Sequence, residues 1–336
     1  MEFENFLSFL FLLHRKICTF VIRNNQNDKV MKNVKLILMS VAAAILVGCG
    51  TTKTVPITGR KQNLVVSDGQ MLSLSSQQYT EYMKTAKPST NAANTAMVKR
   101  VGQRLATAVE TYLRNNGMAE DIQYYKWQFN LVQDQNVNAW CMPGGLICVY
   151  EGLLPVTQNE ASLAIVLGHE IAHAVARHSA EQYSTQYRQQ YGMQIGSAIA
   201  GAVGVGSNTV AIGQSVLSQG LGLANLKYSR NHESEADHMG LIFAAMAGYD
   251  PQVAVGFWQR MAAASNNKTS EFLSSHPSDA TRIKQIQGWM PEAMRYYKGG
   301  VPGGSSSSSK TSGTSSSGKT PKATKTIHIS SKKNKK

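Results

Sequence analysis

Ala161-Ser162-Leu163-Ala164-Ile165-Val166-Leu167-Gly168-His169-Glu170-Ile171-Ala172-His173-Ala174-Val175-Ala176-Arg177-His178 is apolar almost all the way round, as a helix lying inside a core would be. Thr157-Gln158-Asn159-Glu160, just before it, has a capping-box pattern, which predicts a helix running to about His178. Midway along it, His169, Glu170 and His173 form HExxH. At 3.6 residues per turn, two histidines four apart share one face and can grip one zinc ion, while Glu170 is displaced by about 100°. That offset makes Glu170 the expected general base and not a ligand. Burying three such side chains without partners would cost several kcal/mol, so a helix this apolar argues against a chance motif.

A hydrolytic zinc site needs three protein ligands and an open position, so a third ligand is expected from elsewhere in the chain. Glu233-Ser234-Glu235-Ala236-Asp237 offers a Glu and an Asp four apart on one side of a later helix. Glu233 is the expected ligand, and Asp237 the expected hydrogen-bond partner of the outer nitrogen of a ligating His. By itself such a stretch reads equally as an acidic helix start favoured by the macrodipole. It is the HExxH that gives it a second meaning.

Outward from this pair, Met97, Val101, Leu105, Ala108 and Tyr112 recur at helical steps, with Gly117 where a helix would stop. Trp127, Phe129 and Leu131 alternate with polar residues, as a half-buried strand does. Val137 to Met142 and Leu146 to Tyr150 read as a hairpin, giving a small antiparallel or mixed sheet. Tyr191 to Leu226 is rich in Gly, Ala, Ser and Gln and is expected to form a helical hairpin or lid. Ser229 to Gly248 is a helix with Ala236, Gly240, Phe243 and Ala247 on one side, small enough for close approach to a neighbour. A last helix is expected from about Ser278 to Gly288.

The two ends of the 336-residue chain look unlike its middle. Met31-Lys32-Asn33-Val34-Lys35, an apolar run from Leu36 to Val47 and Leu46-Val47-Gly48-Cys49 have the layout of a bacterial lipoprotein signal. Residues 1–30 are then an over-called start, 31–48 the signal, Cys49 the lipidated first residue and 49–66 a linker. About 12 apolar residues fall short of the ~20 that cross a bilayer. The expected location is the cell envelope, with the lipid on Cys49 in the outer membrane facing the periplasm. From residue 299 the chain is Gly, Ser, Thr and Lys with almost no apolar residues and is expected to be disordered.

That tail holds eight Lys and no acid, and residues 1–48 carry three surplus positive charges, leaving about +3 of the formal +14 for the middle. The basic balance therefore belongs to the appendages and argues against a nucleic-acid groove. Cys141 and Cys148 flank Pro143-Gly144-Gly145; a two-residue Gly144-Gly145 loop would set them opposite one another. A cross-strand disulfide and two buried hydrophobes are both compatible with that.

HExxH together with Ser229-Arg230-Asn231-His232-Glu233-Ser234-Glu235-Ala236-Asp237-His238-Met239-Gly240 resembles the SRxxExxADxxG signature of the HtpX and CAAX-prenyl-protease family of zinc metallopeptidases. The likeness runs from about Ser67 to Met290 and is greatest to the soluble periplasmic lipoprotein branch that includes BepA and LoiP. It implies an α+β, mostly helical, zincin-type fold over 67–298, with a small sheet beside the HExxH helix. It implies one zinc held by His169, His173 and Glu233, with Glu170 catalytic and Asp237 in support. Asn138-Ala139-Trp140 is similar to the family strand beside the site, which would hold an unfolded polypeptide by adding it to the sheet edge. His276-Pro277 with Arg282-Ile283 also resembles a family motif. His276 would either stabilise the oxyanion or swing in as a fourth, silencing ligand. The remaining histidines, His178, His232 and His238, are expected on the surface or in a supporting layer, with His178 pointing away from His173. There are no transmembrane pairs of the HtpX kind and no repeats of the BepA kind, so docking through repeats is not expected. The implied activity is proteolysis of unfolded or misassembled envelope proteins. The rival is a chaperone-like zinc lipoprotein whose cleavage is suppressed.

Overall fold

A three-stranded sheet, buried on both faces, lies beside the HExxH helix and presents one edge to it. The structure, a computed structural model, describes residues 50–201, 223, 228–265, 272, 276 and 280–299. The signal segment with Cys49, the tail beyond residue 299 and residues 202–222 and 224–226 of the expected lid lie outside the described residues.

In chain order the elements are β1 (Thr51–Thr54), β2 (Lys61–Leu64), α1 (Asp68–Thr85), α2 (Ala92–Asn115), β3 (Gln128–Val132), β4 (Ala139–Met142), β5 (Leu146–Tyr150), α3 (Glu160–Val175), α4 (His178–Gly201), α5 (Arg230–Met246), α6 (Val253–Ser265) and α7 (Ala280–Tyr296). β1 and β2 form an antiparallel hairpin. The other sheet has the order β3-β5-β4 and is mixed, with β3 parallel and β4 antiparallel to β5. Helices dominate the rest, which makes this the α+β, mostly helical architecture expected.

The alternation of side chains along a strand sorts the sheet into two cores. Phe129, Leu131, Ala139, Cys141, Ile147 and Val149 pack with α2 and α3, whereas Trp140, Met142, Leu146, Cys148 and Tyr150 pack with Met71 and Tyr79 of α1. This is why β4 and β5 carry continuous apolar runs.

The two cysteines do not lie opposite one another. The β4–β5 turn has three residues, not two: Met142 pairs with Leu146, and Gly144 and Gly145 both take positive φ. Cys141 therefore faces Ile147, and Cys148 faces Trp140. A shift of one residue sends a side chain to the other face. Both thiols are free and buried, one in each core.

The HExxH helix also differs at its ends. Its cap is Asn159, whose side chain accepts from the Ser162 N–H at 2.8 Å, and Thr157 instead closes a preceding single turn. The helix stops at Val175 because Arg177 adopts φ 56°, and α4 starts again at His178 in a new direction. Arg177 is held there by Asp68 and Asp121, each at 2.8 Å. The last helix runs beyond Gly288, through Pro291, to Tyr296.

Close packing of α3 on α5 sets the position of the site. A Cβ on Gly240 would lie 2.6 Å from the His169 nitrogen, and one on Gly168 would lie 2.7 Å from the Gly240 oxygen. The two backbones touch, and only glycine permits that. Among the described residues, no helix is long and apolar enough to cross a membrane.

Candidate metal centre

α3 supplies His169, Glu170 and His173, all at most 2% exposed. α5 supplies Glu233 from its first turn, where Ser229 caps the helix by accepting from the His232 N–H at 3.2 Å. Asp237 and Gly240 follow one and two turns later, so the residue that touches α3 and the carboxylates that face it share one side of α5. His276 comes from the segment after α6. Its N–H donates to the Phe272 carbonyl at 2.8 Å, Phe272 in turn donates to the Val137 carbonyl at 3.2 Å, and the Phe272 ring stacks on the His276 imidazole.

The structure brings His169, His173, Glu233 and His276 together, with one ligand atom from each inside a 4.8 Å cluster. His169 Nε2 lies 3.1 Å from His173 Nε2, 3.2 Å from His276 Nδ1 and 3.4 Å from Glu233 Oε2. His173 Nε2 is 3.4 Å from Glu233 Oε1, which lies 2.9 Å from His276 Nδ1. Glu170 stands beside the cluster, 3.6 Å from His276 Nε2, and accepts from the Cys141 backbone N–H.

The outer nitrogens are engaged. Asp237 Oδ1 accepts from His169 Nδ1 at 2.9 Å and from Arg282 at 2.7 Å, and the Arg282 guanidinium lies 3.5 Å over the Trp258 ring. His173 Nδ1 meets His178 Nδ1 at 2.8 Å, and His178 Nε2 lies 3.0 Å from Glu235. The expectation that His178 points away is wrong: the reversal at Arg177 swings it back onto His173, fully buried. Extrapolating one helix through Arg177 hid this, and no local signal marks Arg177 as left-handed. Glu235, Arg60 and Tyr228, which stacks 4.0 Å over His173, also went unassigned in the sequence.

Burial drives the electrostatics. It lifts the Glu170 carboxyl to about 7, near the working range of a general base at neutral pH. It holds His173 far below the ordinary imidazole value and His178 at about 4. Burial also opposes the charged forms of His169 and Glu233. The nearby carboxylates of Asp237 and Glu233 nevertheless raise His169, and His276 beside it takes Glu233 well below the carboxylate range.

A divalent cation fits these residues. With both Nδ1 atoms tied outward, two imidazole lone pairs face one another at 3.1 Å, a repulsive contact unless a cation lies between them. Glu170 Oε1 and Glu233 Oε2 are buried without a hydrogen-bond partner. For bonds of 2.0–2.1 Å, the edge of a tetrahedron is about 3.4 Å, close to the observed separations.

β4 is an edge strand, but Asn138, Ala139 and Trp140 are all buried. Tyr150 donates to the Asn138 carbonyl, so Asn138 and Trp140 bond toward β5, and the backbone groups of Ala139 and Cys141 turn to the other side, where the Cys141 N–H meets Glu170. The Trp140 ring lies on the opposite face, edge-on to Tyr79 and Tyr82.

Two helix-borne histidines with a glutamate between them and a second glutamate on a crossing helix define the class of HExxH metallopeptidase folds. Residues 92–290 match the model of Peptidase family M48, and the chain belongs to that family. It is 29% identical to Metalloprotease YcaL of Escherichia coli over 265 residues, which cover 76% of this chain and 97% of YcaL. It is 28% identical to Metalloprotease LoiP of the same organism over 258 residues, 75% of this chain and 94% of LoiP. Mitochondrial metalloendopeptidase OMA1 of Schizosaccharomyces pombe is 34% identical over 171 residues, half of this chain and 48% of OMA1. The chain thus spans about half the length of the OMA1 relatives it matches.

Proposed function

We propose that the chain is a zinc metalloendopeptidase of the bacterial cell envelope, lipid-anchored at Cys49, that cuts unfolded or misassembled proteins. The observation that carries the reading is the convergence of His169, His173 and Glu233 with the Glu170 carboxylate beside them. Two imidazoles and one carboxylate are a donor set suited to catalytic zinc. When bound, zinc supplies Lewis acidity, polarising the scissile carbonyl and lowering the pKa of water at the site.

Glu170 takes the proton from the attacking water and later delivers it to the leaving amine. Its hydrogen bond from Cys141 fixes the carboxylate against β4. The Ala139 N–H and C=O and the Cys141 C=O, turned away from β5, hold the substrate as an added strand, which requires an extended segment and so favours unfolded chains. Support for the envelope location is the signal-like run ending at Cys49.

His276 favours a second reading, because its Nδ1 lies among the ligand atoms instead of at an oxyanion position. In that state it fills the position a substrate would need, and the protein binds polypeptides without cutting them. Metal analysis and casein digestion separate the two readings. The peptidase contains one zinc per chain and cleaves casein, with activity lost to a chelator and restored by zinc. The silenced form binds unfolded casein but cleaves only as His276→Ala. A protein with no zinc, or one whose cleavage survives the chelator, overturns both.

A further inference from the structure

A second relay of side chains supports the site opposite Asp237 and Arg282, and it starts outside the part of the chain that matches the family model. Arg60 sits at the end of the β1–β2 turn. Its Nε lies 2.9 Å and its Nη2 2.7 Å from Glu235 Oε2, while the Thr58 hydroxyl donates to Glu235 Oε1 at 2.5 Å. The other side of the same guanidinium meets Glu181 at 2.7 Å, and Gln62 on β2 donates to Glu181 and to the Ala176 carbonyl. The hairpin thus clamps the junction between α3 and α4.

The chemistry of this row of atoms runs in one direction. Glu235 is a carboxylate and can only accept, so the proton between it and His178 belongs to His178 Nε2. His178 Nδ1 is then a lone pair, and at 2.8 Å it accepts from His173 Nδ1. His173 Nε2 is left as a lone pair directed at Glu233 and His169. A ring with either tautomer reversed would present an N–H to the cluster instead of a lone pair.

We infer that His178 is a positioning residue that sets the tautomer and ring orientation of His173 for metal binding, with Glu235 and Arg60 setting those of His178 in turn. This rests on the reading of His173 as a ligand. It makes the β1–β2 hairpin, residues 51–64, part of the metal site although the family match begins at residue 92. The pair mirrors Asp237 and Arg282 on His169, and both carboxylates come from α5.

The test measures zinc affinity of the full chain by competition with a chromophoric chelator, together with the visible spectrum of the cobalt-loaded protein and melting of the metal-free form. His178→Leu keeps most of the volume but accepts nothing from His173. It should lose about 10- to 100-fold in zinc affinity and shift the cobalt bands, with metal-free melting no lower than wild type. His178→Asn restores an acceptor near the Nδ1 position and should recover most of that loss. Arg60→Met, on the partly exposed hairpin, tests the relay without touching the core and should weaken zinc in the same direction by a smaller factor. If His178→Leu binds zinc like wild type, or if the Leu and Asn variants fall together along with metal-free melting, the role is structural and the inference fails. If the wild type takes up no zinc, the reading of His173 as a ligand fails first and takes this inference with it.

Discussion

Glu170→Gln should reduce casein cleavage by about a hundred- to ten-thousand-fold, the range a general base contributes, while zinc content stays at the wild-type value. The expectation rests on placement. Glu170 lies outside the group of ligand atoms yet 3.6 Å from the outer nitrogen of the His276 ring, and an amide of the same shape can still accept from the Cys141 N–H. What Gln lacks is the ability to take up a proton. A peptidase assay paired with metal analysis gives the result, and loss of zinc in the variant would reassign Glu170 as a ligand.

The same substitution carries a stability signature with a definite sign. Burial lifts the Glu170 carboxyl from 4.5 to about 7, so ionisation is harder in the folded chain than in the unfolded one. The folded state of metal-free wild type therefore loses stability as pH rises from about 4.5 to 7, to at most about 3 kcal/mol, and no more above that. Glu170→Gln carries no such penalty. Metal-free Glu170→Gln should melt above metal-free wild type at pH 8, with the gap closing near pH 5. A gap that stays constant with pH would mean that Glu170 is not buried as a titrating acid.

How far the sequence leads depends on whether a contact is encoded within one turn of helix or across the fold. His169, Glu170 and His173 are legible because a four-residue spacing on a helix is a geometric statement in itself. Glu233 and Asp237 are legible for the same reason, and the small residues of α5 announce a close neighbour without naming it. The α+β class follows from the mixture of periods. What the sequence hides depends on single backbone dihedrals. Arg177 in a left-handed conformation turns His178 inward, and a three-residue turn in place of a two-residue one sends Cys141 and Cys148 to opposite faces. Neither is visible in composition, because each is imposed by distant partners: Asp68 and Asp121 on Arg177, and the flanking cores on the strands. Arg60 and Glu235 are separated by 175 residues and meet only once the hairpin has docked.

Gly240→Val should be the most disruptive single change to the fold, lowering stability by about 3 kcal/mol and the melting temperature by about 6–12 °C, as read by thermal unfolding. Two opposed effects bear on a helical glycine. Replacing it gains up to about 1 kcal/mol in helix propensity, and a clash takes away more if the neighbour cannot move. Gly288 on α7 has open space where a Cβ would go, so Gly288→Ala should show the gain alone and melt slightly higher. At Gly240 the atoms within 3 Å of the added carbon are the His169 nitrogen and Cα and the Gly168 carbonyl carbon. These are backbone atoms of a buried helix, with no rotamer to escape into, so α3 and α5 must separate. Separation moves Glu233 away from the two imidazoles, because Gly240 and Glu233 lie two turns apart on the same side of α5. The variant should therefore also bind zinc more weakly, even at temperatures where it stays folded. A Gly240→Val protein with wild-type melting and wild-type zinc affinity would show that the approach of these helices is not what sets the metal centre.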